Sequence, residues 1–243
     1  MGRKKINRVG EKIVNNQGLL MVIINCENSH NIDIKFEDGF ISYNKEYDKF
    51  KKGSILNPYF PSIFGKGYFG KSDISFKGTK EYTSWHGMFT RCYSDKYHVN
   101  KRSYIGCSVD ESWYNFQNFI KWFDENYNPE TMKGWHLDKD ILVRGNKVYS
   151  PETCCFVPNE INILFTTLKS KGYRMRPCGK KFQVRLRKLN KETIIGDFNS
   201  KEEAFQAYKI AKEQYIKEVA NKWRDKISEN VHKALINYTI END

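Results

Sequence analysis

Apolar and polar positions alternate strictly from Lys181 to Arg187. Lys181, Gln183, Arg185 and Arg187 fall on one side, and Phe182, Val184 and Leu186 on the other. A period of two predicts a strand with one face on a core and the other in solvent. Lys188-Leu189-Asn190-Lys191 reads as a turn and Glu192 to Phe198 as the next strand. Ser200 then caps a helix, with Glu203 three residues on completing a capping box. Ala204, Ala207, Tyr208, Ala211, Tyr215 and Val219 form the apolar stripe of that helix. Its alanines allow a close approach to the sheet. Trp223, Ile227, Val231 and Leu235 recur every four residues, so the helix is expected to continue past Ala220, packing on the core or forming a dimer interface.

The rest of the chain carries the same two periods. Leu19 to Asn25 is a continuous apolar run of buried-strand length; Ile32, Ile34 and Phe36 alternate with Asp33 and Lys35. Asp38-Gly39 signals a hairpin, with Phe40 to Tyr43 as partner strand. The tract from Asn57 to Gly70 is too rich in Pro, Gly and aromatics for a helix. Its Gly65-x-Gly67-x-x-Gly70 matches a dinucleotide fingerprint in letters only, because neither a helix pattern nor a βαβ unit surrounds it. Lys80 to Tyr93 predicts an amphipathic helix with Tyr82, Trp85, Met88, Phe89 and Cys92 on one side; Ser103 to Val109 predicts a short strand. Ser112 to Phe123 predicts a second helix whose Trp113, Phe116, Phe119, Ile120 and Phe123 read as core rather than a base-stacking platform. From Gly134 to Leu164 two short strands joined by a loop and followed by a helix give a ββα unit. The fold class is therefore α+β: a basic arm (1–8), a β-rich module (9–72), a ββα-containing middle (79–169), a three-stranded antiparallel sheet with a long helix (170–222) and a helical extension (223–243).

Composition narrows the partners. The chain of 243 residues carries a formal charge of +12, only 39% hydrophobic residues, and 15% aromatics. Between Lys169 and Lys201 eleven Lys and Arg face only Glu192 and Asp197. Such one-sidedness favours a polyanion, against the alternative of a small domain with a solvated basic face. The arm, with Arg3, Lys4, Lys5 and Arg8, is expected to touch phosphates. No apolar run approaches the ~20 residues of a membrane span. The basic N-terminus lacks the apolar core of a signal peptide, and with six cysteines an intracellular, reducing location with free thiols is expected.

Gly172-Tyr173-Arg174, Gly179-Lys180-Lys181-Phe182, Ile195-Gly196-Asp197-Phe198 and Glu202-Glu203-Ala204 through Ala207-Tyr208 resemble the DNA-binding domain of plant ethylene-response factors, the AP-two type. The resemblance implies that the sheet, not the helix, enters the major groove of double-stranded DNA. Arg174, Arg176, Lys181, Gln183, Arg185 and Arg187 would then form the contact face. Cys178 and Phe182 replace the family's tryptophan-bearing positions, so its base specificity does not carry over.

Upstream, Trp85-His86-Gly87-Met88 with Arg91-Cys92, then Trp113 and Phe116, Leu137-Asp138-Lys139-Asp140, and Tyr149-Ser150-Pro151-Glu152-Thr153-Cys154 resemble phage-type HNH homing endonucleases. The β-rich module, in turn, resembles small barrel-like modules of bacteriophage proteins of that kind. What this implies is metal-dependent cleavage of duplex DNA. Asp138, Asp140 and Asn162 (Asn159 as the alternative) would hold Mg²⁺, His136 would serve as general base, and Asn146 would orient base or phosphate. Against it, the His pair is missing and Thr153 stands where the family has Asn. Asp138 pairing with Lys139 or Arg144, and His136 as a structural residue, are the alternatives. Zinc is not expected, because Cys26, Cys92, Cys107, Cys154, Cys155 and Cys178 contain no C-x-x-C knuckle. Two further readings stay open: a catalytically lapsed DNA-binding or regulatory descendant, and a phage factor that binds a host protein.

Overall fold

In the computed structural model the described residues are 6–72, 76–165, 172–177, 179–189 and 191–241. Arg3, Lys4, Lys5, Lys169, Cys178 and Asn190, all named above, lie outside them. The chain forms two compact units, one of residues 1–97 with 111–120, the other of 98–110 with 121–243.

The first unit opens with β1 (Lys12–Val14), β2 (Leu20–Asn28), β3 (Asn31–Phe36) and β4 (Ile41–Lys45), an antiparallel meander in that order. Its core is Met21, Ile23, Ile32, Ile34 and Phe36, joined by Phe50 of α1 (Tyr47–Lys51) and by Ile55. The run from Leu19 to Asn25 is not buried on both sides as its composition suggests. Met21 and Ile23 face the core while Ile24 is 40% exposed, because only one face of the sheet is covered. Helix α2 (Lys80–Tyr93) has the limits its periodicity predicts, capped by the Thr79 hydroxyl accepting from the Tyr82 N–H at 3.2 Å. The glycine-rich tract packs against it. A Cβ on Gly67 would lie 2.9 Å from the Trp85 ring, and Phe69 stands 5.9 Å from that ring, centroid to centroid. The boundary expected at 72–79 thus falls inside this unit, since Trp85 and Phe116 form a shared aromatic core with the preceding loop.

Next come α3 (Asp95–Asn100), β5 (Ser108–Val109) and α4 (Phe116–Asn126). Only two residues of the strand expected at Ser103–Val109 form, because Arg102–Tyr104 closes into a 3₁₀ turn. The later turns of α4 belong to the second unit, where Phe123 meets Phe156 edge-on at 5.2 Å.

The second unit continues with β6 (His136–Asp138), β7 (Val148–Tyr149), β8 (Cys155–Val157) and α5 (Asn159–Asn162). Strands β6 and β8 pair antiparallel, His136 opposite Val157, whereas β7 pairs in parallel with β5. The ββα expectation is met in its strands, but its helix is a single turn of 4 residues.

Strands β9 (Tyr173–Met175), β10 (Phe182–Lys188) and β11 (Lys191–Phe198) form a three-stranded antiparallel sheet with β10 in the middle, backed by α6 (Lys201–Lys222). Val184 and Leu186 point inward and are buried, as are Ala204, Phe205, Tyr208 and Ile216 of α6. The capping box forms with one change: the Ser200 hydroxyl accepts from the Glu203 N–H, and the Glu203 carboxylate reaches the N–H of Asn199 rather than that of Ser200. The helix runs past Ala220 only to Lys222 and does not carry on through the stripe at Trp223, Ile227, Val231 and Leu235 as one element. It stops at Trp223, whose indole donates to Glu160 at 2.8 Å, and Ser228 caps a new helix, α7 (Glu229–Ile236).

Gly172 holds φ at +69°, and a Cβ there would fall 2.1 Å from the Tyr208 ring. Gly179 has the same φ range, +70°, with nothing within 4 Å. Gly172→Ala is expected to destabilise the second unit by more than about 2 kcal/mol, combining left-handed strain with overpacking. Gly179→Ala should cost about 1 kcal/mol. Urea unfolding of both variants checks the difference.

Candidate nucleic-acid interface

Strand register sets the outer face of the sheet. Arg174, Gln183 and Asp197 stand directly opposite one another across the three strands. Two residues along β10, Arg185 pairs with Ile194, and two further on Arg187 pairs with Glu192. At the other end the Arg176 N–H bonds the Lys181 carbonyl at 2.8 Å. All six predicted contact residues therefore belong to neighbouring rows, spaced by about 6.8 Å along a strand.

The face is less purely cationic than its alternation suggests. Arg176 makes a two-pronged pair with Asp197, with nitrogen–oxygen distances of 2.9 and 3.0 Å. The Arg185 guanidinium donates to Glu192 at 2.6 Å and to the Gln183 amide oxygen at 2.8 Å. Gln183 also donates to Asp197, and it is only 4% exposed rather than solvent-facing. A buried amide must have both ends satisfied, which makes Gln183 a bridge between the two ion pairs and corrects its reading as an exposed contact. Arg174, Lys181 and Arg187 are exposed and have no acidic partner among the described residues; Arg187 bonds only the Leu189 carbonyl. Asp197 and Glu192 lie on the adjacent strand. Strand composition alone could not reveal which cations they neutralise.

Where β10 runs past the end of β9, the pairing stops at Val184 and Tyr173, with one more bond from the Arg185 N–H to the Gly172 carbonyl. Beside this end of the pairing lies a cleft of ≈ 310 Å³ lined by Arg174, Arg185, Arg187, Tyr208 and Lys212 among others. Lys212 is 1% exposed, and burial pushes its pKa down from 10.5 to about 8. Its period on α6 marks it as core-facing, four residues after Tyr208 and three before Tyr215, a signal the sequence offered and the apolar stripe passed over.

The predicted metal site assembles only in part. Asp138, Asp140 and Asn162 all line a pocket of ≈ 810 Å³, together with Lys101, Arg102 and Arg144; His136 and Asn146 do not. Asp138 turns one oxygen to the backbone N–H groups of Asp140 and Ile141, at 2.7 and 2.9 Å, tying off the end of β6. Burial raises its pKa against those two bonds. Lys139, 5% exposed, pairs with Asp140 and donates to the Asn146 carbonyl at 2.6 Å. The Asn146 side chain is committed to the backbone of Lys139 and Val148 at 2.6–3.0 Å. His136 is exposed on β6. An ammonium thus already stands beside one of the two carboxylates, and the other is held by the backbone. One oxygen of each carboxylate is engaged within the chain, which leaves the pair poorer in ligands than residue type suggests. The pairing foreseen for Asp138 with Lys139 is made instead by Asp140, while Arg144 pairs with Glu241. Among the described residues, no three His, Cys, Asp or Glu are grouped so as to hold a metal ion. Cys154 and Cys155 are free thiols, and burial pushes both pKa values up, that of Cys154 to about 12. Neither offers a ready thiolate. No helix among the described residues is long and apolar enough to cross a membrane.

Comparison with protein-family models, curated proteins and solved structures finds no match to this chain.

A charged Lys212 is disfavoured in the folded chain, so its penalty is complete below pH 8. Between pH 8 and 10.5 the unfolded chain binds a proton that the folded one lacks, and stability rises with pH. Lys212→Met is expected to stabilise the protein by about 1–2 kcal/mol at pH 7, discounting for partial solvation. That gain should vanish above about pH 10.5. Urea unfolding of both proteins at pH 7 and pH 10.5 measures it.

Proposed function

We propose that this chain binds double-stranded DNA through the outer face of β9, β10 and β11. The observation that carries the reading is the set of cross-strand rows, in which Arg174, Lys181 and Arg187 project from one face without acidic partners among the described residues. A twisted antiparallel sheet of this width can lie in a major groove, with guanidinium groups reaching phosphates and base edges. Arg176 and Arg185, fixed by Asp197 and Glu192, are presented as rigid, partly neutralised groups. They suit positioning more than long-range attraction. Helix α6 is committed to the opposite face of the sheet.

Of the readings for the middle of the chain, the lapsed one agrees better with the geometry. Hydrolysis of a phosphodiester needs hard oxygen ligands free for a cation and a base near the attacking water. Here Lys139 pairs with Asp140, the backbone holds Asp138 and Asn146, and His136 does not line the pocket of the two carboxylates. We therefore propose a DNA-binding or regulatory protein that keeps a nuclease-like scaffold without its chemistry.

Fluorescence anisotropy with a labelled duplex over a range of salt tests the interface. Arg174→Ala, Lys181→Ala and Arg187→Ala should each weaken binding several-fold and reduce the slope of log affinity against log salt by about 1. Asp197→Asn should strengthen binding by releasing Arg176. Full affinity in the triple alanine variant would refute the interface. Incubation with supercoiled plasmid in Mg²⁺ or Mn²⁺ should give no nicking; turnover lost on Asp138→Ala would overturn the lapsed reading.

A further inference from the structure

Of the cations lining the cleft beside β10, Arg174, Arg185 and Arg187 also belong to the outer face of the sheet, whereas Lys212 is explained neither by that interface nor by a structural role. Lys212 comes from α6, Arg174 from β9, and Arg185 and Arg187 from β10; among the described residues the only acid in the lining is Glu192, already engaged by Arg185. Lys212 has no acidic partner among the described residues, and loss of solvation alone shifts its pKa. The Tyr215 ring centroid lies 5.8 Å from the ammonium. A buried lysine without a counter-ion among the described residues carries a desolvation penalty, and a methionine of similar length would fill the space without it. That penalty is removed when an anion enters the cleft. Gly172 contributes at the same place: any side chain there would run into Tyr208, which also lines the cleft.

We propose that this cleft is a phosphate-binding site in which Lys212, Arg174, Arg185 and Arg187 surround one phosphate group. Arginine offers forked donors and lysine a compact charge, the pair of geometries by which proteins hold phosphate oxygens. The volume, ≈ 310 Å³, lies at the low end of ligand sites and suits a phosphate with at most a small substituent. Two sources present that chemistry: a small phosphorylated compound, or the terminal phosphate of a nucleic-acid strand.

The test is isothermal titration of the full chain with inorganic phosphate at constant ionic strength, comparing wild type with Lys212→Met and, as a control, Lys49→Met. Wild type and the control should bind one phosphate per chain, and Lys212→Met should lose at least tenfold in affinity. Equal affinity in Lys212→Met, or no saturable binding to wild type, would overturn the proposal. Because the variant is expected to be more stable than wild type, misfolding does not imitate the loss. A second arm compares 5′-phosphorylated with 5′-hydroxyl duplexes. A preference for the phosphorylated end that disappears in Lys212→Met assigns the site to strand ends; phosphate binding without that preference assigns it to small compounds. Lys212 lies behind the sheet, so duplex affinity through the outer face should survive the substitution. A chain that binds phosphate but not duplex would refute the interface and leave the cleft standing.

Discussion

A three-stranded sheet has two faces and can give only one of them to a helix. Val184 and Leu186 pack beneath the alanine-rich side of α6, and strand alternation forces Gln183, Arg185 and Arg187 onto the other side. Shifting the register by one residue would bury the arginines and expose the core, so the apolar contact fixes where the charge goes. The functional reading depends on that contact, because α6 is thereby committed to packing and the sheet is left as the free surface.

The free surface is itself organised. Asp197 and Glu192 each hold one arginine, and Gln183 links the two pairs beneath them. Exposed ion pairs contribute little to stability, so their effect here is mainly geometric: they restrain two guanidinium groups and leave Arg174, Lys181 and Arg187 as exposed cations with no acidic partner among the described residues. The short reach of β9 has a second consequence. Among the described residues β10 has no partner on that side beyond Val184 and Arg185, and the cleft there draws cations from the helix as well as from the strands.

Where periodicity was strong the sequence was a good guide. The helix at Lys80–Tyr93, the strands at 182–198 and the Ser200 cap follow from residue spacing alone. The misses have local causes. The pattern at Trp223, Ile227, Val231 and Leu235 continues through a real break, since a stripe of period four cannot show that Ser228 begins a new helix. Asp138, Asp140 and Asn146 read as site residues by type, yet one oxygen of each carboxylate and the Asn146 amide bond the backbone or Lys139 at short range. Partner choice of that kind is decided by loop geometry, which spacing does not encode. Lys212 was passed over for the opposite reason: a lysine amid an apolar stripe reads as a gap, although its position on α6 is as core-facing as that of Tyr208.

Backbone amide shifts recorded while a short duplex is titrated into the isotope-labelled chain address the central claim most directly. The account predicts that the largest changes fall at Arg174, Lys181 and Arg187 and their row neighbours, with α6 nearly silent. Changes concentrated instead on the N-terminal meander or around Asp138, with the β9–β11 face unmoved, would contradict it.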